Sequence, residues 1–410
     1  MRKILLTLPT RILQLLLFSS LILSPAWASP KFQILHAFAG GTDGSYPYTP
    51  LLDRSGNLFG VTIEGGSLTN CSPYGCGVAF ELSQKNGGWK ENVLYSFSTS
   101  ASPFGPLAMD SRGNLYGIQQ SGNGSCSCGA IYQLARSGGV WTENVLHTFT
   151  GTNGDGAYAY SGLVQDAVGN LYGTTQQGGT SNNSGTLFEL TPNTDGTWAY
   201  SVIYNFGSTN YLDGNTPYGP LTVDSSGNLY GTTLYGGEYG NGTVFRLSSS
   251  GGKWAETILY NFTLDYGVPP YPFGVVIDAV GNLYGATLDG GAYAVGTIYK
   301  LTPSVGFWNR TVLHTFSGGA DGAYPYGLAI GSSGVLYGTT NYGGTYGYGN
   351  VFKLEATNGK WNESAMHMFT NGSDGAHPNN GVVVDQQGNL YGAAESGGAY
   401  GFGVVFRITP

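Results

Sequence analysis

Only a tenth of this 410-residue chain is charged, while 69 residues are glycine and 14% are aromatic, a composition without the Ala, Glu, Lys and Leu faces that long helices need. Three of the 16 basic residues, Arg2, Lys3 and Arg11, sit at the very start, leaving 13 against 24 acidic ones. A net charge of −11 with no basic cluster excludes nucleic acid and anionic lipid surfaces as partners.

Residues 1–28 read as an export signal. The basic start is followed by an apolar stretch, Ile12 to Leu23, too short to cross a bilayer, and by the small-residue cleavage site Ala26-Trp27-Ala28. Cleavage near Ala28 starts the mature chain at Ser29 and delivers it outside the cytoplasm, secreted or at the cell surface. No later stretch is apolar enough for a membrane helix.

The mature chain opens on a strand-like run, Gln33-Ile34-Leu35-His36-Ala37-Phe38, with no partner before it. Then the phrase GNLYG, or a close variant, returns seven times, its asparagine slot falling at 57, 114, 170, 228, 282, 335 and 389. A near-constant period of about 55 residues marks an array of one supersecondary unit. Each unit resolves into four apolar runs. Run a is exemplified by Leu221-Thr222-Val223-Asp224, and run b is the GNLYG phrase. Run c, such as Thr243-Val244-Phe245-Arg246-Leu247, alternates apolar and polar residues at period two, as a half-buried strand does. Run d is Asn92 to Phe97 and its counterparts. Four antiparallel strands per repeat describe a propeller blade. The seventh run c, Val404 to Ile408, meets the end of the sequence with no run d after it. The orphan run at 33–38 supplies the missing strand and hides two exposed edges. The expected fold is therefore all-β, one seven-bladed β-propeller over residues 29–410, monomeric, with its last blade completed by the N-terminal strand. An open β-solenoid, the rival, needs no strand borrowed from the far end.

Cys71, Cys76, Cys126 and Cys128 make an even count for an oxidising compartment, so two disulfides are expected, paired either locally or between neighbouring repeats. A zinc site of four thiolates is the alternative, against which export and the lack of a CxxC pair both argue.

The motif series GNLYGTT, a Gly-Gly loop, GT[VL]F[KRE]L and [VI]LY.F..G.DG..P resembles the Gloeo/Verruco (GloVer) tandem-repeat family of bacteria across residues 31–410. That resemblance implies a secreted or surface-attached protein and assigns no reaction.

Alternating strand direction puts the a–b and c–d turns on one face and the b–c and d–a loops on the other. On the first face, Asp and Asn of turns such as Asp224-Ser-Ser-Gly-Asn228 cap the backbone, and the Trp repeated in each c–d connection packs blade on blade. The second face differs in chemistry. Its d–a loops carry Asp43, Tyr46 and Tyr48; Asp155, Tyr158 and Tyr160; Asp213 and Tyr218; Asp321, Tyr324 and Tyr326; and Asp374 with His377. Its b–c loops add Tyr235, Tyr239, Tyr293, Tyr342, Tyr346, Tyr348 and Tyr400. Glycine lets backbones approach and tyrosine offers a flat ring with a polar tip, a mix suited to stacking on sugars. Asp-Gly and Tyr-Pro also brace tight turns, so a structural reading of each residue stands beside the binding one.

Four histidines, His36, His147, His314 and His367, share a run d slot with Tyr95, Tyr204 and Tyr260, a packing position. His377 alone lies on the loop-rich face, as the one histidine placed to act as a base. No cofactor signature is present; the loop carboxylates offer oxygen ligands for Ca²⁺, although no loop follows the EF-hand pattern. The functional expectation is a secreted module or scaffold that binds a glycan or a partner protein's surface. The alternative is a polysaccharide lyase or hydrolase using His377 with Tyr326 or Tyr48 in the same axial pocket.

Overall fold

A computed structural model describes residues 29–68, 71, 73–98, 102–120 and 126–410. The leader and its cleavage site lie outside the described residues. Seven antiparallel sheets form the seven blades of a β-propeller, and in three of them the innermost strand is split into two short pieces. Blade 4 is representative: strand a is Asn215–Pro217 with Thr222–Val223, b Leu229–Tyr235, c Thr243–Ser250 and d Lys253–Asn261. Strands c and d run longer than their apolar cores indicate, because their ends continue past the core toward the c–d turn.

The last blade is closed by the other end of the chain. Lys31–Ala37 pairs antiparallel with Val404–Thr409, with Lys31 opposite Thr409 and Ala37 opposite Val404. A β-bulge between Ile34 and His36 recurs at the same place in the c–d pairs of the other blades, for instance Val145/His147 in blade 2. Such a bulge re-aims the side chains that follow it.

The repeated phrase follows from packing. Its leucine, from Leu58 to Leu390, is fully buried in every blade. The glycine two residues later sits under the aromatic ring of strand c: a Cβ on Gly60 would lie 2.5 Å from Phe80 Cζ, and Gly392 meets Phe406 in the same way. Its tyrosine hydroxyl donates to the aspartate that opens the a–b turn, as Tyr230 does to Asp224 at 3.1 Å. That same aspartate accepts the backbone N–H and side-chain amide of Asn228. Where blade 6 has Gly331 for the aspartate it also has Val335 for the asparagine, so these two change together, while Tyr337 is kept.

Blades are joined by one repeated contact. The phenylalanine ending each strand d packs on the strand c aromatic of the next blade: Phe38 on Phe80, Phe97 on Tyr132, Phe149 on Phe188, Phe206 on Phe245, Phe262 on Tyr299, Phe316 on Phe352 and Phe369 on Phe406, at 5.1 to 5.5 Å between ring centroids. The tryptophans lie near the start of strand d rather than in the turn. They add a second contact, Trp198 on Tyr116 at 5.3 Å and Trp254 on Tyr172 at 5.8 Å, each on the tyrosine of the preceding blade.

The cysteines pair locally, Cys71 with Cys76 and Cys126 with Cys128, at Cα separations of 5.3 and 5.2 Å. Both bridges tie b–c loops in blades 1 and 2. No helix among the described residues is long and apolar enough to cross a membrane.

Phe38→Ala removes a ring with no solvent exposure from the contact between the closing blade and blade 1. It is expected to lower unfolding free energy by about 3–5 kcal/mol in urea titration. Val168→Ala, at a side chain 80% exposed, changes it by less than about 0.5 kcal/mol. Equal effects would remove the basis for the aromatic joint.

Candidate functional site

The loop-rich face holds two concentric arrangements, and the expected site residues divide between them. The outer one uses the aspartates. His36 Nε2 donates to Asp43 at 3.1 Å, His147 to Asp155 at 3.1 Å, His314 to Asp321 at 3.3 Å and His367 to Asp374 at 3.1 Å. In blade 3 the Tyr204 hydroxyl takes the histidine's place and donates to Asp213 at 3.0 Å. Each aspartate also accepts a backbone N–H from its own loop, such as that of Ala39 or Thr150. These five aspartates therefore clasp the d–a loops to the outer strand.

A side chain from strand d of the next blade faces each clasp. Glu91 stands beside Asp43, Tyr200 donates to Asp155 at 2.8 Å, Arg310 reaches Asp265 at 3.5 Å, and Tyr204 bridges Asp213 and Glu256. Burial pushes Glu91 up to about 7, with Asp43 adding and His36 opposing. Burial likewise pushes Glu363 up to about 7, with Asp321 adding, and Glu256 up to about 8 despite the Tyr204 hydrogen bond. Burial also opposes ionisation of Asp155, but hydrogen bonds from His147, Tyr200 and Thr150 outweigh it and hold that carboxyl at about 2. Burial thus favours the protonated form of these three glutamates, while hydrogen bonds hold Asp43, Asp155 and Asp213 below the usual carboxylate range against the same effect. His36, Asp43 and Glu91 bring one ligand atom each within 4.8 Å of one another, the geometry that a cation would need at the seam between the closing blade and blade 1.

The inner arrangement is aromatic. Strand a of six blades contributes one ring each: Tyr48, Phe104, Tyr160, Tyr218, Phe273 and Tyr326. Neighbours touch edge-on or tilted, Phe104 lying 4.8 Å from Tyr48 and 5.2 Å from Tyr160, and Phe273 lying 5.4 Å from Tyr218 and 5.0 Å from Tyr326. They converge on the propeller axis because strand a is the innermost strand of each blade. Burial is the main reason that the Tyr48 phenol lies well above its ordinary value, with Glu395, Tyr218 and Tyr160 adding. Burial also pushes Tyr326 up to about 12, with Tyr218, Tyr342 and Glu395 among the contributors.

Blade 7 breaks the ring. Asn379 stands in its aromatic slot and donates to Glu395 at 2.6 Å. Burial raises the Glu395 carboxyl, and His377 opposes that rise. His377 itself sits over Tyr342 at 4.8 Å, and its Nδ1 donates to the Asn341 carbonyl at 3.0 Å, which leaves Nε2 as the ring's acceptor. Below the ring, residues that follow it in strand a, including Pro220, Gly327 and Val382, line a cavity of about 100 Å³. Gly327 is required there, since a Cβ would lie 3.0 Å from Gly381 Cα of the next blade.

Tyr46, Tyr158, Tyr324 and His377 neither join the aspartate clasps nor occupy a ring slot. With Thr216 and Tyr271 they share a left-handed backbone, φ between 47° and 60°, that costs non-glycine residues about 1–3 kcal/mol each. A cross-blade hydrogen bond holds the turn in place: Tyr46 N–H to Phe402, Tyr158 to Cys128, Tyr324 to Val295 and His377 to Tyr348. The turn delivers the next ring residue to the axis. Around the cup, Tyr235, Tyr239, Tyr293, Tyr342, Tyr346 and Tyr400 stand exposed on the b–c loops. The opposite face has a groove of about 840 Å³ between blades 7 and 1, but its Asp53 and Asp385 are committed to turn capping.

Sequence reasoning passed over Glu395, Asn379, Phe104 and Phe273 as site residues. Reading strand b in register would have found Glu395, the one charged residue in a slot that other blades fill with Ile63, Gln120, Gln176, Leu234, Leu288 and Asn341.

The Gloeobacter/Verrucomicrobia repeat profile matches residues 22–224, 68–279 and 221–410, and the chain belongs to that family. No curated protein matches it. Among solved structures, the extracellular domain of a proposed one-component system from B. thetaiotaomicron is 11% identical at a TM-score of 0.55, over 92% of this chain and 40% of that one. A proposed 6-phosphogluconolactonase from Bacteroides uniformis is 14% identical at 0.50, over 80% and 87%. A puromycin-hydrolyzing peptidase from Mycobacterium tuberculosis is 8% identical at 0.55, over 88% and 53%. At these identities the likeness concerns the fold alone.

The raised glutamates predict a pH profile. The folded state keeps protons on Glu91, Glu256 and Glu363 that the unfolded chain releases near 4.5, so their contribution is full below that pH and is lost as pH rises through about 7 to 8. Asp155 works in the opposite sense, its contribution being lost as pH falls from 3.8 toward about 2. Glu256→Gln mimics the protonated form. Urea titrations from pH 5 to 9 are expected to show a shallower stability loss in this variant than in wild type; parallel curves would refute the assignment.

Proposed function

We propose that this member of the Gloeobacter/Verrucomicrobia repeat family is an extracellular binding module whose axial cup recognises carbohydrate. The observation that carries this reading is the convergence of four phenols and two phenylalanines on one axis, with Glu395 and Asn379 filling the single gap. Sugar rings present apolar C–H faces ringed by hydroxyls. Flat aromatic walls match the first, and phenol, amide and carboxylate tips match the second. The exposed b–c tyrosines extend the same chemistry outward, long enough for a chain of sugars rather than one. Two disulfides on the rim suit an oxidising compartment, as an exported protein requires.

The proposal is tested on a glycan array followed by calorimetry. At least one oligosaccharide class is expected to bind. Tyr160→Ala and Tyr218→Ala should each weaken binding about thirtyfold, or about 2 kcal/mol, in variants whose melting curves still show a folded protein. Absence of binding to every class would overturn the reading. Shortened or unsaturated products that disappear in His377→Ala would establish the enzymatic alternative in its place.

A further inference from the structure

The cup combines an aromatic wall with one carboxylate that no lysine or arginine approaches. In the seven d–a loops and seven b–c loops the sequence has no Lys or Arg at all, although acidic residues occur there in six blades. Basic residues sit at the opposite end of the propeller, at Arg54, Arg112, Arg136, Lys253 and Lys360, in or beside the a–b and c–d turns. Apart from Arg310, which reaches Asp265 from strand d, the loop-rich face therefore carries charge of one sign, which concentrates cations at its mouth.

On that face Glu395 is partly buried, near enough to Tyr326 of blade 6 and Tyr48 of blade 1 for its charge to act on both phenols. Among the described residues its side-chain partners are neutral or weakly basic: the Asn379 amide donates to it, and His377 acts on it from a distance with Nδ1 already spent on the Asn341 carbonyl. A carboxylate taken out of water without a cation is costly, and aromatic faces attract a cation that sits against them. Both needs are met by the same ligand group. The unit that departs from the repeat, with Asn379 for an aromatic and Glu395 for an uncharged residue, is the one that creates this demand.

We infer that the axial cup selects a protonated amine, and that its carbohydrate is an amino sugar carrying a free ammonium group. Glu395 pairs with the ammonium, Asn379 holds the carboxylate in place, and the tyrosine and phenylalanine rings flank the cation and the sugar face. This rests on the carbohydrate reading above and narrows it.

Calorimetry with the wild-type protein separates the two. The probes are a β-1,4-linked glucosamine tetramer and its fully N-acetylated counterpart, which share rings and linkage and differ at the nitrogen, a cationic amine in one and a neutral acetamide in the other. The amine form is expected to bind at least tenfold more tightly, and Glu395→Gln to abolish that difference. Raising sodium chloride from 50 to 500 mM should weaken the wild-type protein's hold on the amine form severalfold and barely affect the acetylated form, a readout that needs no variant. Equal affinities, or a preference for the acetylated form, would overturn the inference and leave the carbohydrate reading intact. If neither tetramer binds while a neutral glycan on the array does, the inference is again overturned; if nothing on the array binds, the carbohydrate reading falls with it.

Discussion

Seven copies of one aromatic contact set the shape of this molecule. A blade is a small sheet that cannot bury its apolar face alone, and its stability depends on the neighbour it leans on. The phenylalanine at the end of each strand d meets the strand c aromatic of the next blade at 5.1 to 5.5 Å, inside the range of about 4.5–7 Å that aromatic pairs favour. One contact of fixed geometry, repeated between identical units, gives a fixed rotation per unit, and here seven rotations close. Phe38–Phe80 and Phe369–Phe406 flank the composite blade, so its two chain ends are held by packing from both sides as well as by the Lys31–Ala37 to Val404–Thr409 ladder.

Closure then separates the two faces. The a–b side repeats one lock of aspartate, asparagine and tyrosine with little variation. The other side repeats its clasp as well, but with exchanges that keep charge in balance: histidine or tyrosine inside the blade, and glutamate, tyrosine or arginine from the next. Its inner ring lies at the axis, where residues of all blades meet and a change in a single repeat alters the shared cup. Variation in one blade can create a site there without disturbing the other six, and blade 7 shows such a change at Asn379 and Glu395.

Much of this was legible before any coordinates. The GNLYG period and the orphan run at 33–38 state the blade count and the manner of closure, because strand pairing follows from local pattern and from the need to hide edges. Within the d–a loops the sequence did not separate roles. Asp43 and Tyr48 are five residues apart, yet one binds His36 at the outer strand and the other reaches the axis. What separates them is the left-handed turn at Tyr46, a backbone state that a tyrosine before proline gives no reason to expect. Glu395 was passed over because it looks like an ordinary loop acid; the phenols on which its charge acts, Tyr326 and Tyr48, belong to blades 6 and 1, far away in the chain.

Amide hydrogen exchange of residues 31–38 in the folded protein addresses closure most directly. If the first strand is the fourth strand of the last blade, its amides exchange as slowly as those of Val404–Thr409, and both are released together on unfolding. Exchange within seconds at 31–38, with 404–409 still protected, would mean an open edge and would dissolve the ring on which the axial cup depends.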